Sequence, residues 1–110
     1  MDVGSTVEPI FSALSDKTRR SVVDLLCEKP HRAGELSSAL GIDPASLSRH
    51  LRVLRKAGIV SGDHPENDAR VRLYRLRPEA FLGLRKWLDE IEAFWNVQLE
   101  AFAKHMEQKP

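Results

Sequence analysis

The sequence predicts a mainly α-helical domain carrying one small β-hairpin. Apolar residues recur at three- and four-residue spacing over most of the chain, the period of helices buried along one face. Asp16, Pro30, Gly41, Asp43, Pro44, Gly58 and Pro78 cut that pattern into five segments, because each is a residue type that starts or stops a helix. Between Ile59 and Leu76 the pattern changes to two short runs around a polar turn, as in a hairpin. The 110 residues suit one domain spanning 1–110.

The first helix is expected from about Thr6 to Leu14, with Val7, Ile10, Phe11 and Leu14 on one stripe. Asp16 then caps a helix over Lys17 to Glu28, whose buried face is Val22, Val23, Leu25 and Leu26. Pro30 cannot continue it. A short helix from Arg32 to Leu40 stops at Gly41, a residue that accepts the left-handed closing conformation. Asp43 caps the next helix and Pro44 takes its first position, where a missing N–H costs nothing. That helix runs to Ala57, with Leu47, Leu51 and Leu54 inside. Strands follow at Ile59 to Asp63 and Arg70 to Leu76, and a final helix runs from Pro78 to about Glu107. Its stripe is Phe81, Leu84, Leu88, Ile91, Trp95, Leu99 and Phe102, widened by Trp87, Phe94 and Met106.

Net charge is only +1, but it is unevenly spread. From Pro44 to Arg77 eight cations stand against three acids, a local +5. One basic stripe on a near-neutral chain is the footprint of a phosphate-backbone binder. Double-stranded DNA is therefore the expected partner. No apolar run approaches the roughly 18–20 residues of a membrane span. Met1 to Pro9 contains neither the basic nor the apolar segment of a secretion signal. A cytoplasmic protein with no membrane partner is expected. Cys27 is the sole cysteine and reads as a small apolar helix residue.

The two helices joined by Leu40 to Asp43 form a helix-turn-helix. With the leucines turned inward, Ala45, Ser46, Ser48, Arg49, His50 and Arg52 are left for the outer face. Small residues permit close approach to base edges, and hydroxyls and guanidinium can hydrogen-bond bases or phosphates. The helix N-terminus is expected to favour phosphate through free N–H groups. From Arg49 to Ala57 there is no acid, whereas a merely solvated helix usually mixes in Glu. The hairpin then reads as a wing, with Arg70 and Arg72 as its DNA contacts, and Tyr74 and Leu76 as anchors to the core.

Several segments resemble the ArsR/SmtB-type winged helix-turn-helix regulators. They are Leu14 to Asp16, Thr18 to Arg20, Ala33 to Leu36, Ser46 to Leu51, Leu54 to Val60 and Tyr74 to Leu76. The resemblance covers Ile10 to Leu76 and is most specific from Ser46 to Val60. It implies a homodimer on a pseudo-palindromic operator, usually repressing transcription, with the first and last helices at the dimer interface. The interface residues so implied are Ile10, Phe11, Leu14, Trp87, Ile91, Phe94, Trp95, Leu99 and Phe102. The aromatic bulk of the last helix agrees, since interfaces favour such anchors.

Many members of that family sense metals. Arg32 and Gly34 stand where the thiolate site of the resemblance has cysteines, and neither ligates a soft metal. His31, His50, His64 and His105 include no pair three or four apart, so no helix presents a ready ligand pair. His31, His64 and His105 read as surface histidines. No metal, cofactor or catalytic set is expected: there is no nucleophile–base pair and no glycine-rich phosphate loop. The alternatives are a metal- or thiol-responsive sensor of the same fold, and a winged-helix protein-interaction module without DNA binding. The residues name no inducer.

Overall fold

The computed structural model describes residues 3–63 and 72–108. Capping side chains and left-handed glycines set the helix boundaries. Helix α1 covers Val3–Leu14 and α2 Lys17–Glu28. Asp16 accepts the Arg19 N–H at 3.0 Å to start α2. The same corner closes α1: Arg19 Nε donates to the Ala13 carbonyl at 2.6 Å, and Arg20 to that of Leu14 at 2.8 Å. The last carbonyls of a helix have no partner within it, so these two arginines complete α1.

Helix α3 (Ala33–Leu40) ends at Gly41, whose φ is 65°. Helix α4 covers Pro44–Lys56. It closes through Gly58 at φ 79°, with the Ile59 N–H on the Leu54 carbonyl and the Gly58 N–H on that of Arg55. This pair of bonds releases the chain into strand β2, Val60–Asp63.

The sheet has three strands, in the order β1-β3-β2. Strand β3 is Leu73–Leu76, and β1 is the two-residue strand His31–Arg32. Helix α3 therefore starts one residue later than expected, because Arg32 pairs with Leu73 and His31 with Tyr74. His31 is not a surface histidine: it is half-buried, and both ring nitrogens are enclosed without a hydrogen-bond partner among the described residues. His105 is exposed, and His64 lies outside the described residues.

The core gathers buried side chains from α1 to α4, from Ile59 and from strands β2 and β3. Val22, Leu36, Leu54 and Ile59 are completely enclosed, and Leu26, Leu47, Leu51, Val60 and Tyr74 nearly so. Fully enclosing an aliphatic side chain contributes about 1.5–3 kcal/mol, so the three inner leucines of α4 fix that helix firmly. Val23 and Leu25 are only half-buried beside Val22 and Leu26. Cys27 is exposed rather than packed inside, at the rim of an apolar groove formed by Val23, Leu76, Pro78 and Phe81.

Helix α5, Ala80–Glu107, docks its first turns on α1, where Trp87 meets Phe11 edge to face at 5.1 Å. From Leu88 to Gln108 every residue is exposed, a projecting length of roughly 30 Å at 1.5 Å per residue. The molecule is accordingly elongated, 70 × 32 × 21 Å. No helix among the described residues is long and apolar enough to cross a membrane.

Candidate nucleic-acid interface

The outer face of α4 is built on a chain of three hydrogen bonds. The Asp43 carboxylate accepts the Ser46 N–H at 3.0 Å and the Ser46 hydroxyl at 2.7 Å. Ser46 Oγ in turn accepts from the Arg49 guanidinium at 3.1 Å. The donation by the Ser46 hydroxyl, then by its N–H, holds the Asp43 carboxyl below its ordinary value. Ser46 is thus engaged at both ends, and Arg49 is held along the exposed surface.

This arrangement corrects one expectation. The start of α4 is not an open anion site. Asp43 takes the Ser46 N–H, the Asp43 carbonyl takes that of Leu47, and Pro44 has none. The Asp43 carboxylate thus occupies part of this turn, and the Ala45 N–H is left open among the described residues.

Ala45, Ser48, Arg49 and Arg52 are exposed, as are Arg55 and Lys56 further along. Ser48 lies on the α3 side, where Ser37, Ser38, Pro44 and Tyr74 also border a groove of about 320 Å³. His50 is placed differently. Its Nδ1 lies 3.3 Å from the Arg19 guanidinium and 3.8 Å from the Asp16 carboxylate, and the residue is half-buried. It turns towards the start of α2 rather than outwards, because its position on the helix lies beside the inner Leu51. His50 therefore ties α4 to the α1–α2 corner. Composition carried no sign of this link, although Asp16 and Arg19 both belong to the segments that carry the family resemblance.

At the wing, the Arg72 stem lies across Gly62, where an added Cβ would come within 2.6 Å of it. The glycine makes room for that side chain at the turn end of the paired strands. Arg75 pairs with Asp63 at 3.1 Å across the two strands. Arg70 lies outside the described residues. Tyr74 is buried and Leu76 half-buried, so both anchor β3.

Of the residues expected to face a second copy, Ile10 is only 2% exposed and belongs to its own core. Leu14 and Trp87 are half-buried, while Phe11, Ile91, Phe94, Trp95, Leu99 and Phe102 are exposed.

A basic second helix beside a hairpin is an arrangement with known relatives. The family model for bacterial regulatory proteins of the arsR family matches residues 16–61, the stretch from the α2 cap to β2. The HTH-type transcriptional regulator Rv2034 of Mycobacterium tuberculosis is 37% identical over 94 residues, covering 86% of this chain and 82% of that protein. The chain belongs to the arsR family. The transcriptional repressor SdpR of Bacillus subtilis is 40% identical over 55 residues, 50% of this chain and 60% of that protein. Among solved structures, an ArsR-like transcriptional regulator from Rhodococcus sp. RHA1 superposes with a TM-score of 0.77 at 26% identity, over 100% of both chains. This arsR-family chain is thus a transcriptional regulator with a winged helix-turn-helix DNA-binding fold, a class of proteins that are not enzymes.

Proposed function

We propose that this regulator is a homodimeric repressor that binds a pseudo-palindromic operator without a metal ion. The observation that carries the reading is the outer face of α4, where Asp43 and Ser46 hold Arg49 outward beside exposed Ala45, Ser48 and Arg52. These four residues are the proposed base and phosphate contacts, with Arg70 and Arg72 reaching the backbone from the wing. His50 and Ser46 act one step back, by positioning. The likeness to SdpR supports repression. The unpartnered apolar face of α5 supports dimerisation, with Phe11, Trp87, Ile91, Phe94, Trp95, Leu99 and Phe102 at the interface and Leu14 at its margin. Arg32 and Gly34 support the metal-free reading, since neither can ligate at the positions of the family's thiolate site. The whole chain, 1–110, acts as one unit.

Selection of bound duplexes from random DNA tests this. Two inverted half-sites spaced by a helical turn or a multiple of it are expected; an isolated, unpaired half-site contradicts the dimeric reading. On the selected duplex, Arg49→Ala weakens binding and makes its salt dependence shallower by about 0.9 for each phosphate left without its cation. Unchanged affinity across the titration removes Arg49 from the interface. Selection with chelator or reductant addresses the metal-free reading and its thiol-responsive variant, which the exposed Cys27 favours.

A further inference from the structure

Gly62 has no conformational reason to be a glycine. Among the described residues only Gly41 and Gly58 have a positive φ, so the Gly62 backbone accepts any side chain. It lies inside β2, and a glycine within a strand weakens it unless something approaches the backbone closely. Something does. A Cβ on Gly62 would lie 2.6 Å from Arg72 Cδ, 3.0 Å from Arg72 Cγ and 2.8 Å from Tyr74 Cε1. The Arg72 stem and the Tyr74 ring together cover the bare backbone.

The strand register shows which way that stem runs. Gly62 stands opposite Tyr74, and Val60 opposite Leu76. Paired residues and alternate residues share a face, so these four form one side of the sheet, and Arg72 continues it. Val60 and Tyr74 are buried, which makes this the side packed on the body of the protein. Arg72 belongs one step beyond the Tyr74–Gly62 pair, yet its stem reaches that pair. It therefore runs back along the sheet, away from the wing tip. It does so on the side where Tyr74 borders a groove with Pro44 and Ser48 of α4. Asp63 and Arg75 lie on the other face, paired at 3.1 Å, so the acid next to Gly62 is engaged there.

We infer that Gly62 is a positioning residue for DNA binding. Its bare backbone lets Arg72 lie flat across β2, which brings the guanidinium to a backbone phosphate beside the α4 footprint rather than to one under the wing tip. The inference rests on the proposed DNA contact of Arg72 and names what aims it. An arginine so placed covers its methylene groups and keeps its charged head in water, as the half-buried state of Arg72 requires. A stem already confined also has fewer rotamers to lose on binding. Any side chain at position 62 has to lift that stem. Tyr74, only 8% exposed and packed in the core, has less freedom to give way.

Fluorescence anisotropy on a selected duplex, repeated across salt concentrations, tests this in the full chain with Gly62→Ala, Arg72→Ala and the two together. Both single variants should flatten the salt dependence alike, by about 0.9 for each copy on the duplex. The double variant should bind within about twofold of Arg72→Ala alone, because changes that act through one contact do not add. Any melting temperature lost in Gly62→Ala, followed by circular dichroism, should be largely regained with Arg72→Ala, since the Tyr74 ring can then move into the space that the stem vacates. A wild-type slope for Gly62→Ala overturns the inference. So does an equal loss of affinity or of melting temperature from Gly62→Ala in both backgrounds, because the glycine then serves the packing of Tyr74 alone. Both outcomes leave Arg72 on the DNA. A wild-type slope for Arg72→Ala removes that residue from the interface and overturns the wing contact and the inference together.

Discussion

Replacing Ser46 with alanine separates holding Arg49 from being Arg49. The hydroxyl links the Asp43 carboxylate to the guanidinium through bonds of 2.7 and 3.1 Å. The variant keeps the Ser46 backbone donation to Asp43 at 3.0 Å, so the helix remains capped, and it keeps every charge. What it removes is the fixed rotamer of Arg49. Ordering such a side chain on binding costs roughly 0.5–1.5 kcal/mol, hence about 1–3 kcal/mol over two half-sites and a roughly fivefold to hundredfold rise in Kd. The salt slope should stay that of the wild type, because the same counterions are released. Fluorescence anisotropy on a selected duplex, repeated at several salt concentrations, reads both quantities. Wild-type affinity for Ser46→Ala would refute the positioning argument. A slope as shallow as that of Arg49→Ala would show instead that the hydroxyl governs whether the guanidinium reaches the duplex at all.

Two further outcomes follow from the interface and the caps. Trp95→Ala, on the exposed apolar face of α5, should raise the dissociation constant of the proposed dimer about thirtyfold or more, since truncating an interface aromatic that acts as an anchor costs about 2 kcal/mol or more. Sedimentation equilibrium checks this, and an intact dimer at the wild-type concentration limit would exclude Trp95 from the interface. The second outcome concerns acid. Asp43 is held below its ordinary value near 3.8 by the Ser46 hydroxyl and N–H, and Asp16 below the same value mainly by the Arg19 N–H. Their stabilisation is present above that ordinary value and is lost as the pH falls through the lowered ones. Asp43→Asn keeps an acceptor for the cap and does not titrate. Its melting temperature should lie below the wild type above pH ~5 and converge with it below ~4, as followed by circular dichroism; parallel decline would contradict the assignment.

Local chemistry determined most of the architecture. Asp16, Gly41, Asp43, Pro44 and Gly58 act within a few residues of themselves, through caps and left-handed turns, and a helix period is visible in any one segment. The five helices, the inner leucines of α4 and the anchoring of Tyr74 were therefore legible, and so was the family. Strand β1 was not. Two residues carry no period, and His31–Arg32 becomes a strand only because β3 lies beside it. The same limit governs the site. Sequence placed Ser46, Arg49 and His50 on one helix and assigned them one task. Their contacts differ because Asp43, Asp16 and Arg19 approach from different directions: Ser46 and Arg49 are drawn into one relay, and His50 is turned to the α2 corner. Likewise Ile10 and Phe11 are neighbours in sequence, yet packing encloses the first and leaves the second partly exposed beside Trp87. A side chain's type and period follow from the chain alone. Which partners it meets, and which face remains for DNA or a second copy, depends on contacts between segments far apart in sequence.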